Sequence, residues 1–327
     1  MRTRKLGDSD LDITAIGFGS WAIGGGDWKF GWGHQDDDHS VRVIHEAVEH
    51  GVNWIDTAPV YGHGHSEEVV GRALAEMPAE RRPMVFTKCG HPWDEKGDLH
   101  YSLKAADLRK ECDDSLRRLG VDAIDLYQFH WPQPEEELEE GWQALQDLKA
   151  EGKIRYAGVC NFSVDQMKRV TPIGPITSHQ MHYSLLRPNV ERDELPYCQE
   201  HNVGVLAYSP MGSGLLTGTI TREYIDNLPE EDWRKKGHPH YQEPLLTRNL
   251  ELVDLLRRIG SRHGKIPGAA AVAWVLSHPG VTATIVGARE PGQFHEPAAA
   301  ADWPLTPAEV AELRDFITTH PAKAWGD

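Results

Sequence analysis

Four side chains in the first half of the chain have the types and order needed for a proton-coupled reaction. In "NWIDTAPVYG" an apolar run ends on the carboxylate of Asp56, and the phenol of Tyr61 follows five residues later; "FTKCG" supplies the ammonium of Lys88 and "QFHWP" the imidazole of His130. Tyrosine titrates near ~10, so it exchanges protons poorly at neutral pH unless something stabilises its anion. The Lys88 charge is expected to lower the Tyr61 pKa, while Asp56 neutralises and orients the ammonium in a low-dielectric pocket. With His130 as a second hydrogen-bonding group beside a substrate oxygen, these are parts for carbonyl reduction or alcohol oxidation. Tyr61 protonates the developing alkoxide as hydride reaches the carbonyl carbon, and His130 orients and polarises the oxygen. No side chain donates hydride, so the chemistry requires a nicotinamide or flavin cofactor.

These residues act together only if the fold converges them. Eight short apolar runs, from "ITAIGFG" and "NWIDTA" to "GVLAYSP" and "TATIVGA", alternate with segments of helical period such as "LKAADLRKECDDSLRRLG". Runs that are apolar throughout suit parallel strands buried on both faces, and eight strand-helix units predict closure into a (β/α)8 barrel. The pattern assigns residues 1–327 to one α/β domain, entered through a hairpin turning at Gly7 to Ser9. An open, doubly wound sheet is the competing arrangement, but no G-x-G-x-x-G follows an early strand. Gly51, Gly120 and Gly152 sit where left-handed helix C-caps belong, and Ser66 before Glu67 and Glu68 fits a helix start. The stretch from Gly212 to Leu245 breaks the rhythm and is expected to be a functional loop over the active face or partly disordered.

In such a barrel the C-terminal strand ends carry the chemistry. Asp56, Lys88, His130, Asn161, Gln180, and Tyr208 with Ser209 fall at successive strand ends, and Arg289 follows the eighth, forming a nearly unbroken polar ring. The first loop interleaves Trp21, Trp28, Phe30 and Trp32 with glycine, offering aromatic faces to a sugar or an aromatic aldehyde.

The segments "GVNWIDTAPVYG", "FTKCG", "DLYQFHWP" and "YAGVCNFS" resemble, in order, the signatures of the aldo-keto reductases, and the similarity runs over essentially the whole chain. The resemblance implies a barrel that binds NADP(H) without a Rossmann domain, and a tetrad of Asp56, Tyr61, Lys88 and His130 with Tyr61 as the acid. It also implies Asn161 and Gln180, with Cys160 beside them, around the nicotinamide carboxamide, and Tyr208 stacked on the ring. Ser209, Met211 and Ser213 match the pyrophosphate segment, Gly287 and Arg289 the 2′-phosphate end, and Gln293 and Glu296 the adenine site. Cys160 stands where serine is usual and Pro297 where asparagine is usual. NADP is the expected cofactor, with NAD the weaker alternative. Trp131 joins the first-loop tryptophans as a candidate substrate contact, for a small carbonyl or alcohol such as a sugar or sugar-derived carbonyl. The alternative is a nucleotide-sensing subunit of a membrane protein in which catalysis is secondary.

Composition narrows the partners. A formal charge of −16 opposes nucleic acid and anionic lipid. The longest apolar stretch, "GAAAVAWVL", is too short to span a bilayer, and "MRTRKLGDSD" lacks a signal's apolar core, so a cytoplasmic location is expected. Four cysteines without a C-x-x-C pair suggest neither structural zinc nor a disulfide framework. Among 18 histidines, "HGH", "HPH" and "HQMH" look like ligand pairs, but Lys88 beside Asp56 opposes a divalent ion and no metal is expected.

Overall fold

The computed structural model describes residues 1–26, 28, 31–230 and 232–321. An antiparallel hairpin, β1 (Thr3–Lys5) and β2 (Asp12–Thr14), leads into eight parallel strands. These are β3 (Ile16–Gly19), β4 (Trp54–Asp56), β5 (Met84–Cys89), β6 (Ile124–Phe129), β7 (Ile154–Cys160), β8 (Ser178–His182), β9 (Gly204–Tyr208) and β10 (Ala283–Gly287). They close into a barrel in chain order, with β10 paired to both β9 and β3. Six helices connect successive strands: α1 (Asp37–Glu49), α2 (His65–Ala75), α3 (Ala105–Leu119), α4 (Leu138–Ala150), α5 (Val164–Val170) and α6 (Glu194–Glu200). Between β9 and β10 lie α7 (Arg222–Asp226), α8 (Trp233–Gly237), α9 (Leu245–Ser261) and α10 (Pro267–Ser277); α11 (His295–Ala298) and α12 (Pro307–Thr319) follow β10. Among the described residues no helix is long and apolar enough to cross a membrane.

The expected barrel is therefore present, with local differences that have physical causes. The first apolar run is divided: Ile13 and Thr14 belong to the hairpin, and only Ile16–Gly19 enters the barrel. Gly51, Gly120 and Gly152 all have left-handed φ, as their places after helices require. The helix start expected at Ser66 is present, with Glu67 and Glu68 in the first turn of α2. Helix α2 begins at His65 after Gly64, and the Ser66 hydroxyl is buried against Ser20 Oγ at 2.7 Å and Thr57 Oγ1 at 3.1 Å. The segment after β9 is built rather than disordered in its described residues. Two one-turn helices and short 3-10 turns are pinned by Tyr241, whose hydroxyl donates to Ser213 O at 2.8 Å.

Alternate strand residues share a face, and this period divides the barrel interior into two layers. Trp54, Phe86, Leu126 and Leu206 form an apolar lower layer with Leu6, Leu11 and Ile13 of the hairpin, which plugs that end. Two residues further along three of these strands stand Asp56, Lys88 and Gln128, a polar upper layer. The Trp54 indole fits because Gly17 faces it: a Cβ at Gly17 would lie 2.2 Å from the ring.

Behind the upper layer, Glu67 of α2 is fully buried. It accepts from Thr87 Oγ1, next to Lys88, at 2.6 Å and from Arg118 Nε of α3 at 2.7 Å, tying two helices to the strand that carries the lysine. Removing one member of a buried pair leaves the other charge uncompensated, so Arg118→Met is expected to destabilise the fold by about 3–5 kcal/mol in urea denaturation. A loss below ~1 kcal/mol would class this pair with exposed ones.

Candidate active site

The register that aligns β4 with β5 brings Asp56 and Lys88 together at the upper end of the barrel. Lys88 is 0% exposed and Asp56 3% exposed, and Nζ lies 2.6 Å from Oδ1. An ammonium has three hydrogens, and each has an acceptor: Asp56 Oδ1, Thr57 O at 2.9 Å and Tyr61 Oη at 3.2 Å. Asp56 Oδ2 accepts from Gln180 Nε2 at 2.7 Å, so the carboxylate is held at both oxygens. Burial acts to lower the Lys88 pKa, but Asp56 and Tyr61 outweigh it and the net direction is upward; the ammonium stays charged.

Tyr61 departs from expectation. Burial is the largest influence and pushes its pKa up to about 12, while the Lys88 charge pulls the other way without prevailing. Lys88 therefore limits the rise instead of bringing the phenol below its ordinary value. The His130 ring packs edge-on to Tyr61, with centroids 5.8 Å apart. Burial, with Lys88 and His91 nearby, holds its pKa well below the ordinary value, so the imidazole is neutral.

The expected carboxamide contacts are already partly engaged. Asn161, at φ 60°, donates from Nδ2 to His130 O at 3.1 Å and accepts from Tyr208 Oη at 2.8 Å. Gln180 spends its amide hydrogens on Asp56 and, at 3.4 Å, on Gln128 Oε1. Cys160 is placed differently from the reading around the carboxamide. Its side chain turns into the barrel, with Sγ 3.9 Å from Gln128 Oε1, and it does not line the cavity above.

That cavity, of about 780 Å³, gathers the other expected residues except the buried Lys88. Asp56, Tyr61, His130, Asn161, Gln180 and Tyr208 line its floor; Ser209, Met211, Ser213, Gly287, Arg289, Gln293 and Glu296 line one arm, and Trp21, Trp28, Trp32 and Trp131 surround the mouth. Phe30 lies outside the described residues. The arm fits a dinucleotide. Ser209, Gly212, Ser213 and Gly214 have left-handed φ, and among the described residues the amides of Met211, Ser213 and Gly214 have no partner, an arrangement suited to phosphate oxygens.

Two arm residues have structural duties as well. Gln293 Oε1 accepts from the amides of Arg289 at 3.0 Å and Glu290 at 3.1 Å. The Arg289 guanidinium reaches across to the first loop, donating to Gln35 Oε1 at 2.8 Å, Trp32 O at 2.9 Å and His34 O at 2.6 Å.

Contributors that the sequence reading missed include Gln128, Arg234 and Tyr224. Gln128 shares the strand face of His130, so its period-two spacing in "QFH" could have revealed it. Arg234 and Tyr224 line the cavity from the long segment after β9; Arg234 pairs with Asp232 at 2.6 Å and lies over the Trp32 ring. No local pattern marks these two.

A sequence model of the Aldo/keto reductase family matches residues 15–318. The aldo-keto reductase YhdN of Bacillus subtilis is 34% identical over 318 residues, covering 97% of this chain and 94% of its own. The NADH-specific methylglyoxal reductase of Escherichia coli is 34% identical over 329 residues, covering 97% of this chain and 98% of its own. Among solved structures, the glycerol dehydrogenase AKR11B4 from Gluconobacter oxydans has a TM-score of 0.89 at 40% identity, covering 99% of this chain and 98% of its own. These similar proteins are named as reductases or a dehydrogenase and lend no support to a nucleotide-sensing subunit.

The balance at Tyr61 can be measured directly. An ultraviolet difference titration of the cofactor-free protein against Tyr61→Phe is expected to show tyrosinate forming toward about pH 12. A Tyr61 transition below the ordinary value of ~10 would mean that Lys88 outweighs burial.

Proposed function

The chain belongs to the aldo/keto reductase family of nicotinamide-dependent oxidoreductases, and from that premise we propose that it interconverts a small aldehyde or ketone and its alcohol using NADP(H), with Tyr61 as general acid in reduction and general base in oxidation. The observation that carries this is the hydrogen bond from Lys88 Nζ to Tyr61 Oη at 3.2 Å. Because the ammonium donates, the phenol's own hydrogen is directed away from Lys88 and is left for an oxygen in the cavity. At neutral pH the raised pKa keeps that hydrogen in place, the form that reduction needs.

When bound, the nicotinamide supplies hydride in reduction and accepts it in oxidation. Tyr61 protonates the oxygen as negative charge builds there, and the tyrosinate left behind sits beside a cation that Asp56 holds fixed. Neutral His130 orients the same oxygen by a hydrogen bond. Oxidation runs the proton transfer backwards and is favoured by alkaline pH, since Tyr61 must first lose its hydrogen.

Tryptophan faces around the mouth support a sugar or sugar-derived carbonyl, whose C–H faces pack against aromatic rings. For the cofactor, Arg289 is the candidate 2′-phosphate partner. Three of its five N–H groups are committed to the first loop, and two remain for phosphate oxygens.

Tyr61→Phe is expected to lower turnover by about 10² to 10⁴ while cofactor affinity stays near wild type, since it removes the transferable proton and little else. Near wild-type turnover with hydride transfer rate-limiting would overturn the assignment.

Cofactor choice is tested by fluorescence titration with NADPH and NADH at fixed ionic strength. Charge-assisted bonds contribute about 1.5–3 kcal/mol, so a roughly ten- to hundredfold preference for NADPH is expected, largely lost in Arg289→Ala. Equal wild-type affinities, or a preference that survives the substitution, would exclude Arg289 as the selecting residue.

A further inference from the structure

Beside the large cavity lies a second cleft, of about 370 Å³. Trp21, Tyr208, Ser209 and Ser213 line both, but His182, Arg187, Trp233 and His240 line the cleft and not the large cavity. Among the described residues no carboxylate lines it, although acidic residues outnumber lysine and arginine by 50 to 34 in the chain.

Arg187 is its charge. A tight turn fixes the backbone, with Arg187 N donating to Ser184 O at 2.9 Å and Leu186 N to Ser184 Oγ at 3.2 Å. Among the described residues the half-buried guanidinium makes one hydrogen bond, Nη1 to His182 Nδ1 at 3.3 Å, and has no acidic partner. Since a guanidinium only donates, His182 Nδ1 is an acceptor and the neutral ring carries its hydrogen on Nε2.

His240 is fixed in the same tautomer by a different route. Arg248 donates to Asn249 Oδ1 at 3.0 Å, and Asn249 Nδ2 donates to His240 O at 3.0 Å, which settles the orientation of the amide. The same Nδ2 lies 3.3 Å from His240 Nδ1, which must accept, so this ring too carries its hydrogen on Nε2. Burial lowers the His182 pKa to about 3 and the His240 pKa to about 4, so both rings are neutral donors at physiological pH. Neither Nε2 has a partner among the described residues. A guanidinium repels a cation, and the described residues hold no cluster able to bind a metal. One positive charge and two N–H donors against tryptophan walls suit an oxyanion.

We propose that this cleft binds a carboxylate or phosphate group of the substrate, with Arg187 as its charge partner, so that the enzyme prefers carbonyl compounds bearing an anionic group remote from the reacting carbon. The inference rests on the reading of Tyr61 as the site of carbonyl reduction. The shared walls, Trp21 and Tyr208 with Ser209 and Ser213 of the cofactor arm, connect the two sites, and a molecule with an anionic end and a carbonyl end spans them.

The test compares kcat/KM for matched substrates, butanal with 4-oxobutanoate and D-glyceraldehyde with its 3-phosphate, at low ionic strength. Wild-type enzyme is expected to favour the anionic member of at least one pair by about ten- to a hundredfold, and which pair responds distinguishes carboxylate from phosphate. Arg187→Met should erase that preference through KM while the neutral members turn over as in wild type, and Arg187→Lys should restore part of it. Neutral turnover without any anion preference, or an equal loss for both members in Arg187→Met, would overturn the cleft's role alone. Absence of neutral turnover in wild type would overturn the Tyr61 reading, and this inference with it.

Discussion

A charged lysine at 0% exposure is tolerable only because every atom around its ammonium is arranged for it. Transfer of an isolated charge into a protein interior costs several kcal/mol, and the attraction of one carboxylate offsets this only where the remaining hydrogen-bonding capacity is also met. Here both Asp56 oxygens and all three Lys88 hydrogens are engaged. This requirement fixes the neighbours: Gln180 must face Asp56, the β4 end must expose Thr57 O, and Tyr61 must close over the pair. The lower layer of the barrel serves the same end, because Trp54 and Phe86 fill the space beneath on the strands that carry Asp56 and Lys88.

Where the determining pattern was local, it was legible in the sequence. Apolar runs ending on Asp56 and Tyr208 identify strand ends, Lys88 falls one residue before the end of its strand, and the left-handed glycines mark helix exits through sterics that act within a turn. What was hidden depends on groups far apart in the chain. The contest between burial and Lys88 at Tyr61 is decided by how much protein surrounds the phenol, which no spacing encodes. The inward turn of Cys160 follows from Gln128 on the next strand, and the capture of Arg289 by the first loop joins residues 254 apart. Ser66 marks the helix start correctly, but the sequence does not show that tertiary packing recruits its hydroxyl to Ser20.

The bonds of Arg289 link two tasks usually considered apart. The first loop carries the tryptophans proposed to meet the substrate, and it is held by the cation proposed to select the cofactor phosphate. A phosphate on the two remaining N–H groups fixes the guanidinium that anchors the loop, and a substrate that stabilises the loop then strengthens the cofactor site by the same free energy. In the proposed reaction, cofactor selectivity and substrate affinity are therefore one linked equilibrium.

The plugged lower end of the barrel sets the route by which protons return. Beneath Tyr61 lie a lysine whose hydrogens are all committed and then an apolar layer sealed by Leu6, Leu11 and Ile13. Neither offers a water wire to bulk solvent. In the proposed reaction a tyrosinate left after one turnover is thus replenished from the cavity above it, along the path the substrate itself uses, so product departure and proton refilling share one gate.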